Sequence, residues 1–134
     1  MKTDWASLNE AGKLLDSLGY KVTWCKNQFS QWDGELMINN TLYKVECKNR
    51  RFKSNKYKTT IVNEEKYKVL SSSPSILIII FDDCIKITSH IKKCFVKMTP
   101  MYGCSCTDFK GTYGYRNKAE LDINKFKTYE RFNK

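Results

Sequence analysis

The stretch Trp32-Asp33-Gly34-Glu35-Leu36-Met37-Ile38-Asn39-Asn40-Thr41-Leu42-Tyr43-Lys44-Val45-Glu46-Cys47-Lys48 constrains this chain more than any other. Two runs rich in apolar and aromatic residues flank Asn39-Asn40, and asparagine tolerates the positive φ angles of tight hairpin turns. A symmetric loop of two or four residues centred there pairs Ile38 with Thr41 and Met37 with Leu42. Continued outward, the pairing sets Asp33 opposite Glu46, with their Cβ atoms about 5 Å apart. Lys48 follows two residues later on the same face. Leu36, Ile38, Tyr43, Val45 and Cys47 then share the other face, with Gly34 opposite Val45. A slip of one residue, as from a loop of odd length, would scatter that apolar face.

Two carboxylates about 5 Å apart repel by roughly 3 kcal/mol at an effective dielectric of 20. A divalent cation removes that cost and takes carboxylates as hard oxygen ligands. The alternative is an exposed charged face, in which Glu35 pairs with Lys44 and Glu46 with Lys48. Asp33-Gly34 would then be only a turn.

Asp33 followed by Glu46-Cys47-Lys48 on the next strand resembles the PD-(D/E)xK nuclease superfamily, and archaeal-type Holliday junction resolvases in particular. The order of elements is similar too. A helix carrying Glu10 ends in Leu15-Asp16-Ser17-Leu18-Gly19-Tyr20, the hairpin and a basic loop follow, and a second helix opens with Asn63-Glu64-Glu65-Lys66-Tyr67. Trp32 stands where the superfamily has its proline, and Glu10 lies nearer Gly19 than the resolvase glutamate does. The resemblance covers about residues 4–90. It implies a restriction-endonuclease-like α/β fold with an αβββαβ core, and a homodimer that cuts DNA, branched or duplex. It also implies a catalytic set of Glu10, Asp33, Glu46 and Lys48. Magnesium, with manganese as a substitute, would be held by Glu10, Asp33, Glu46 and the Cys47 carbonyl.

The rest of the chain reads as one domain over 1–134, with a core over about 4–90 and a C-terminal extension over 91–134. Asp4 to Leu18 predicts a helix stopped by Gly19, with Leu8, Ala11, Leu14, Leu15 and Leu18 as its apolar stripe. Glu10 lies at the edge of that stripe, where a carboxylate could reach a strand or simply face water. Tyr20 to Cys25 alternates as a strand, Asn63 to Leu70 predicts a short helix, and Phe95 to Met98 a short strand. Ile76 to Phe81 reads as a strand buried on both faces, and Ile85 to Thr88 as one more.

The formal net charge is +10, from 24 basic and 14 acidic residues, which points to a polyanionic partner. Lys44, Lys48, Arg50, Arg51, Lys53, Lys56 and Lys58 cluster with Glu46 as the one acid among them. Arg50, Arg51, Lys53, Lys56 and Lys58 are the candidate nucleic-acid contacts, and a solvated lysine-rich loop is the alternative. The longest apolar run, 76–81, is too short to span a bilayer. No signal peptide is legible, so a cytoplasmic protein with reduced cysteines and no membrane partner is expected. His90, Cys94, Cys104 and Cys106 could hold zinc, although their spacing matches no common zinc pattern. Two other functions stay open from sequence alone. One is a restriction-like or RNA-directed nuclease using the same site; the other is a nucleic-acid-binding domain without catalysis.

Overall fold

The computed structural model describes residues 4–26, 30–104 and 113–132. Helix α1 (Trp5–Ser17) starts at Asp4, whose carboxylate accepts the Ser7 amide at 2.9 Å. That bond, the larger of the influences on it, holds the Asp4 carboxyl below its ordinary pKa. The helix ends in a Schellman turn. Gly19 has φ +90°, the Tyr20 amide reaches the Leu15 carbonyl at 2.9 Å, and the Gly19 amide reaches Asp16.

Strands β1 (Thr23–Trp24), β2 (Gly34–Ile38) and β3 (Thr41–Asn49) follow. Asn39 and Asn40, at φ 49° and 66°, make the two-residue turn. The pairing runs from Ile38 with Thr41 to Gly34 with Val45, the register expected from the sequence. The first strand is much shorter than the alternation from Tyr20 to Cys25 predicted. Only two residues pair with β2.

Strand β4 (Thr59–Asn63), helix α2 (Glu64–Ser71), β5 (Ser75–Ile80) and β6 (Ile85–Thr88) come next. Helix α3 (Ile91–Cys94), β7 (Phe95–Cys104), β8 (Tyr113–Asp122), a 3-10 turn (Ile123–Lys125) and β9 (Lys127–Tyr129) complete the described chain. The main sheet has the order β1-β2-β3-β5-β6-β9, and β3 and β5 are its parallel pair. Strands β4, β8 and β7 form a second, antiparallel sheet. This is the mixed α/β architecture expected, but β4 leaves the main sheet and the C-terminal residues rejoin it through β9.

Every residue of β5 is buried, and its side chains alternate between two cores. Ile76, Ile78 and Ile80 join Val45, Cys47, Leu36 and the α1 residues Leu8, Ala11, Leu14 and Leu15. Leu77 and Ile79 join Val62, Leu70, Phe81, Ile91, Leu121 and Ile123 on the opposite face. A nearly continuous β-branched run is what such a strand requires, because neither face meets water. No helix among the described residues is long and apolar enough to cross a membrane.

Gly34 is needed where β1, β2 and β3 meet. A Cβ there would lie 2.6 Å from Trp24 Cε3 and 2.9 Å from the Thr23 carbonyl. Gly34→Ala should therefore destabilise the protein by about 1–3 kcal/mol, the usual cost of overpacking. Urea unfolding followed by tryptophan fluorescence checks it, and an unchanged midpoint would show that β1 yields freely.

Candidate active site

Strand alternation sends Glu46 and Lys48 to the face opposite α1. Their parallel partners on β5 are Leu77 and Ile79, members of the second core. Asp33 sits just before the β2 ladder begins. Its amide donates to the Val45 carbonyl at 2.9 Å, and its carbonyl accepts from Cys25 at 2.7 Å. The chain thus swings off the regular pairing at Gly34 and does not set Asp33 squarely across from Glu46. The swing turns the Asp33 carboxylate onto β3, where Oδ2 accepts the Cys47 amide at 2.8 Å. A strand residue points its N–H and C=O to the same side, so the Cys47 carbonyl also faces the Asp33 side of β3.

Asp33 and Glu46 are both buried, at 5% and 4% exposure. Burial, and after it the Asp33 charge, raises the Glu46 carboxyl above its ordinary pKa, while Lys66 and Lys48 pull in the other direction. Lys48 Nζ lies 3.4 Å from Glu46 Oε2. Lys66 Nζ, from the first turn of α2, lies 3.3 Å from Oε1 and also donates to the Gln31 carbonyl. Lys66 carries no signal in the sequence motif; only the packing of α2 under the sheet brings it here. Of the charged-face alternative, the Glu46–Lys48 ion pair is present, whereas Lys44, opposite Glu35 in the register, lies over the Trp32 ring, 4.6 Å from its centroid.

The structure therefore brings Asp33, Glu46, Cys47 and Lys48 together, and it engages Glu10 with the C-terminal residues. Glu10 is 1% exposed on α1, and both its oxygens are engaged. Arg131 donates from Nε to Oε2 at 2.9 Å and from a terminal nitrogen to Oε1 at 2.6 Å, and the Phe132 amide adds a bond at 3.0 Å. Arg131 also donates to the Phe81 carbonyl at 3.2 Å. Among the described residues, no three Asp, Glu, His or Cys side chains converge as a ready metal cage. A hard divalent ion still suits this donor set. Two nearly buried carboxylates and a backbone carbonyl offer oxygens, and magnesium completes its shell with water.

The basic loop is a folded lobe. Asp83 accepts the Ser54 amide and hydroxyl at 2.8 Å each, and the Asp82 amide donates to the Phe52 carbonyl at 3.0 Å. Phe52 packs against Phe81 and Tyr57, and Lys56 lies over the Phe52 and Tyr57 rings. Arg51, Lys53, Lys56 and Lys58 are exposed. Arg50 turns inward to the Ile61 carbonyl at 3.0 Å, and burial lowers its pKa. Of the zinc candidates, Cys94 is packed in the second core with its thiol on the Thr88 hydroxyl, and His90 is exposed. The Cys104 side chain and Cys106 lie outside the described residues.

No family model matches the sequence. A search of curated proteins finds no match either. By structure the chain is similar to Hjc of Archaeoglobus fulgidus, a Holliday junction resolvase from an archaeal hyperthermophile. The TM-score is 0.51 at 11% identity, over 87% of this chain and 84% of that one. At this identity the likeness establishes the fold alone, and that fold is the one the resemblance implied.

Arg131→Met strands a buried carboxylate and should cost about 2–4 kcal/mol in urea unfolding. Adding Glu10→Met should restore much of that, because the pair is then replaced by apolar volume. A double variant as weak as the single one would show that Arg131 acts through other neighbours.

A carboxyl whose pKa is raised on folding binds its proton more tightly folded than unfolded. Ionised Glu46 therefore costs stability above its raised pKa, and the cost disappears below its ordinary value of 4.5. In chelator-treated protein, Glu46→Gln should raise the melting temperature at about pH 8 and lose that advantage at about pH 4. A gain independent of pH would contradict this origin.

Proposed function

We propose that this protein is a Mg²⁺-dependent DNA endonuclease selective for branched structure, acting as a homodimer. The observation that carries the reading is the meeting of Asp33 and Glu46 beside Lys48, on a fold shared with a junction resolvase. Asp33 Oδ1, Glu46 and the Cys47 carbonyl would hold the ion, with Mn²⁺ as substitute. When bound, magnesium supplies an activated water and neutralises phosphate charge.

The protein's own groups do the remaining work. The Cys47 amide fixes one Asp33 oxygen, so the other is aimed without loss of rotamer freedom on binding. Lys48, 28% exposed, is a compact charge able to follow the negative charge that develops on the attacking oxygen or phosphate. Glu10 serves to anchor the C-terminal residues and stands outside the ligand set. Arg51, Lys53, Lys56 and Lys58 form the backbone-binding surface, while Arg50 holds the loop base. Two copies related by a two-fold axis would give the two sites that two strands require.

The decisive experiment incubates the protein with four-way junctions, duplex, single-stranded DNA and RNA, with Mg²⁺ or Mn²⁺. Junction cleavage should dominate, and Glu46→Ala and Lys48→Ala should each lose at least about 100-fold in rate while still binding junctions. Binding without cleavage by the wild-type protein would leave a nucleic-acid-binding domain on this fold. Preference for duplex or RNA would keep the site and change the substrate.

Neutralising Arg51, Lys53, Lys56 and Lys58 together should flatten the salt dependence of DNA binding. The slope falls by about 0.9 for each phosphate that is no longer neutralised. Arg50→Ala should instead lower stability and leave that slope unchanged. Equal slopes for the wild-type and fourfold variant would place the DNA on another surface.

A further inference from the structure

Glu46 is a carboxylate with both oxygens already taken. Lys48 Nζ stands 3.4 Å from Oε2 and Lys66 Nζ 3.3 Å from Oε1, around a side chain only 6% exposed. The two amines arrive from different elements. Lys48 is a neighbour on β3, whereas Lys66 reaches in from α2 and joins Glu46 to the Gln31 carbonyl, two residues before Asp33. Together Asp33, Glu46, Lys48 and Lys66 close the site at zero formal charge.

Each Glu46 oxygen keeps a second lone pair for a cation, but an ammonium beside each one repels an incoming divalent ion. Lys48 comes from the same strand as Glu46, whereas Lys66 bridges separate elements of the fold. We propose that Lys66 is a positioning residue that stands in for the divalent ion. It holds Glu46 and the chain leading to Asp33 in place before metal arrives, and it sets the metal concentration at which the site fills. This rests on the reading of Asp33 and Glu46 as a metal site.

The physical basis is charge competition. Even with the screening of bulk water, a unit charge about 6 Å from a divalent ion weakens its binding about tenfold. Lysine suits the task because its ammonium is a point charge on a flexible stem that can withdraw.

The test is calorimetric titration of Mn²⁺ into chelator-treated protein without DNA. Lys66→Met should bind Mn²⁺ at least about tenfold more tightly than the wild type. Lys66→Arg should stay near the wild type, and Glu46→Ala should lose the site. Lys66→Gln provides a second neutral variant should Lys66→Met fail to fold. Binding by the neutral variants equal to or weaker than wild type, with Glu46→Ala still abolishing it, overturns the role of Lys66 alone. Undiminished binding by Glu46→Ala, or none by the wild type, overturns the metal site and this inference with it.

Discussion

Two asparagines at positive φ hold the β2–β3 hairpin in one register, and the placement of every charged group on β3 follows from it. Strand alternation then separates Val45 and Cys47, which enter the core under α1, from Glu46 and Lys48, which face the other way. A slip of one residue would drive a carboxylate and an ammonium into the apolar layer beneath α1. The register is thus fixed twice, by the turn and by the cost of burying charge. The Asp33 carboxylate depends on it in turn, since its partner is the Cys47 amide.

The two buried glutamates show different solutions to one problem. Glu10 is matched by the planar fork of Arg131, a bidentate pair with a backbone amide added. Such geometry is specific and strong, which suits a joint between α1 and the C-terminal residues. Glu46 is matched by two lysines, whose single charges impose little direction. The first carboxylate is built into the fold. The second keeps looser partners, which is what the proposed metal site requires of it.

What was legible in the sequence was local or periodic. Asn39-Asn40 gave the turn and the register, the run 76–81 gave the doubly buried strand, and Gly19 gave the end of α1. Asp33, Glu46 and Lys48 followed because the hairpin carries them. What was hidden depends on contacts between distant parts of the chain. Nothing near residue 66 marks Lys66 as a neighbour of Glu46, and nothing near residue 10 points to Arg131, 121 positions away. Arg50 is indistinguishable from its basic neighbours in the sequence, and only the fold brings it to the Ile61 carbonyl. Strand β4 was hidden for the same reason, because its partner β8 lies about sixty residues downstream.

The ends of the main sheet have a consequence of their own. Its outer strands, β1 and β9, are stubs of two and three residues. A foreign strand seeking to add itself there would find few unpaired amides and carbonyls in line. Long central strands such as β3 and β5 are thereby shielded from templating fibrils. The long unpaired edge lies instead in the second sheet, whose outer strand β7 runs for ten residues.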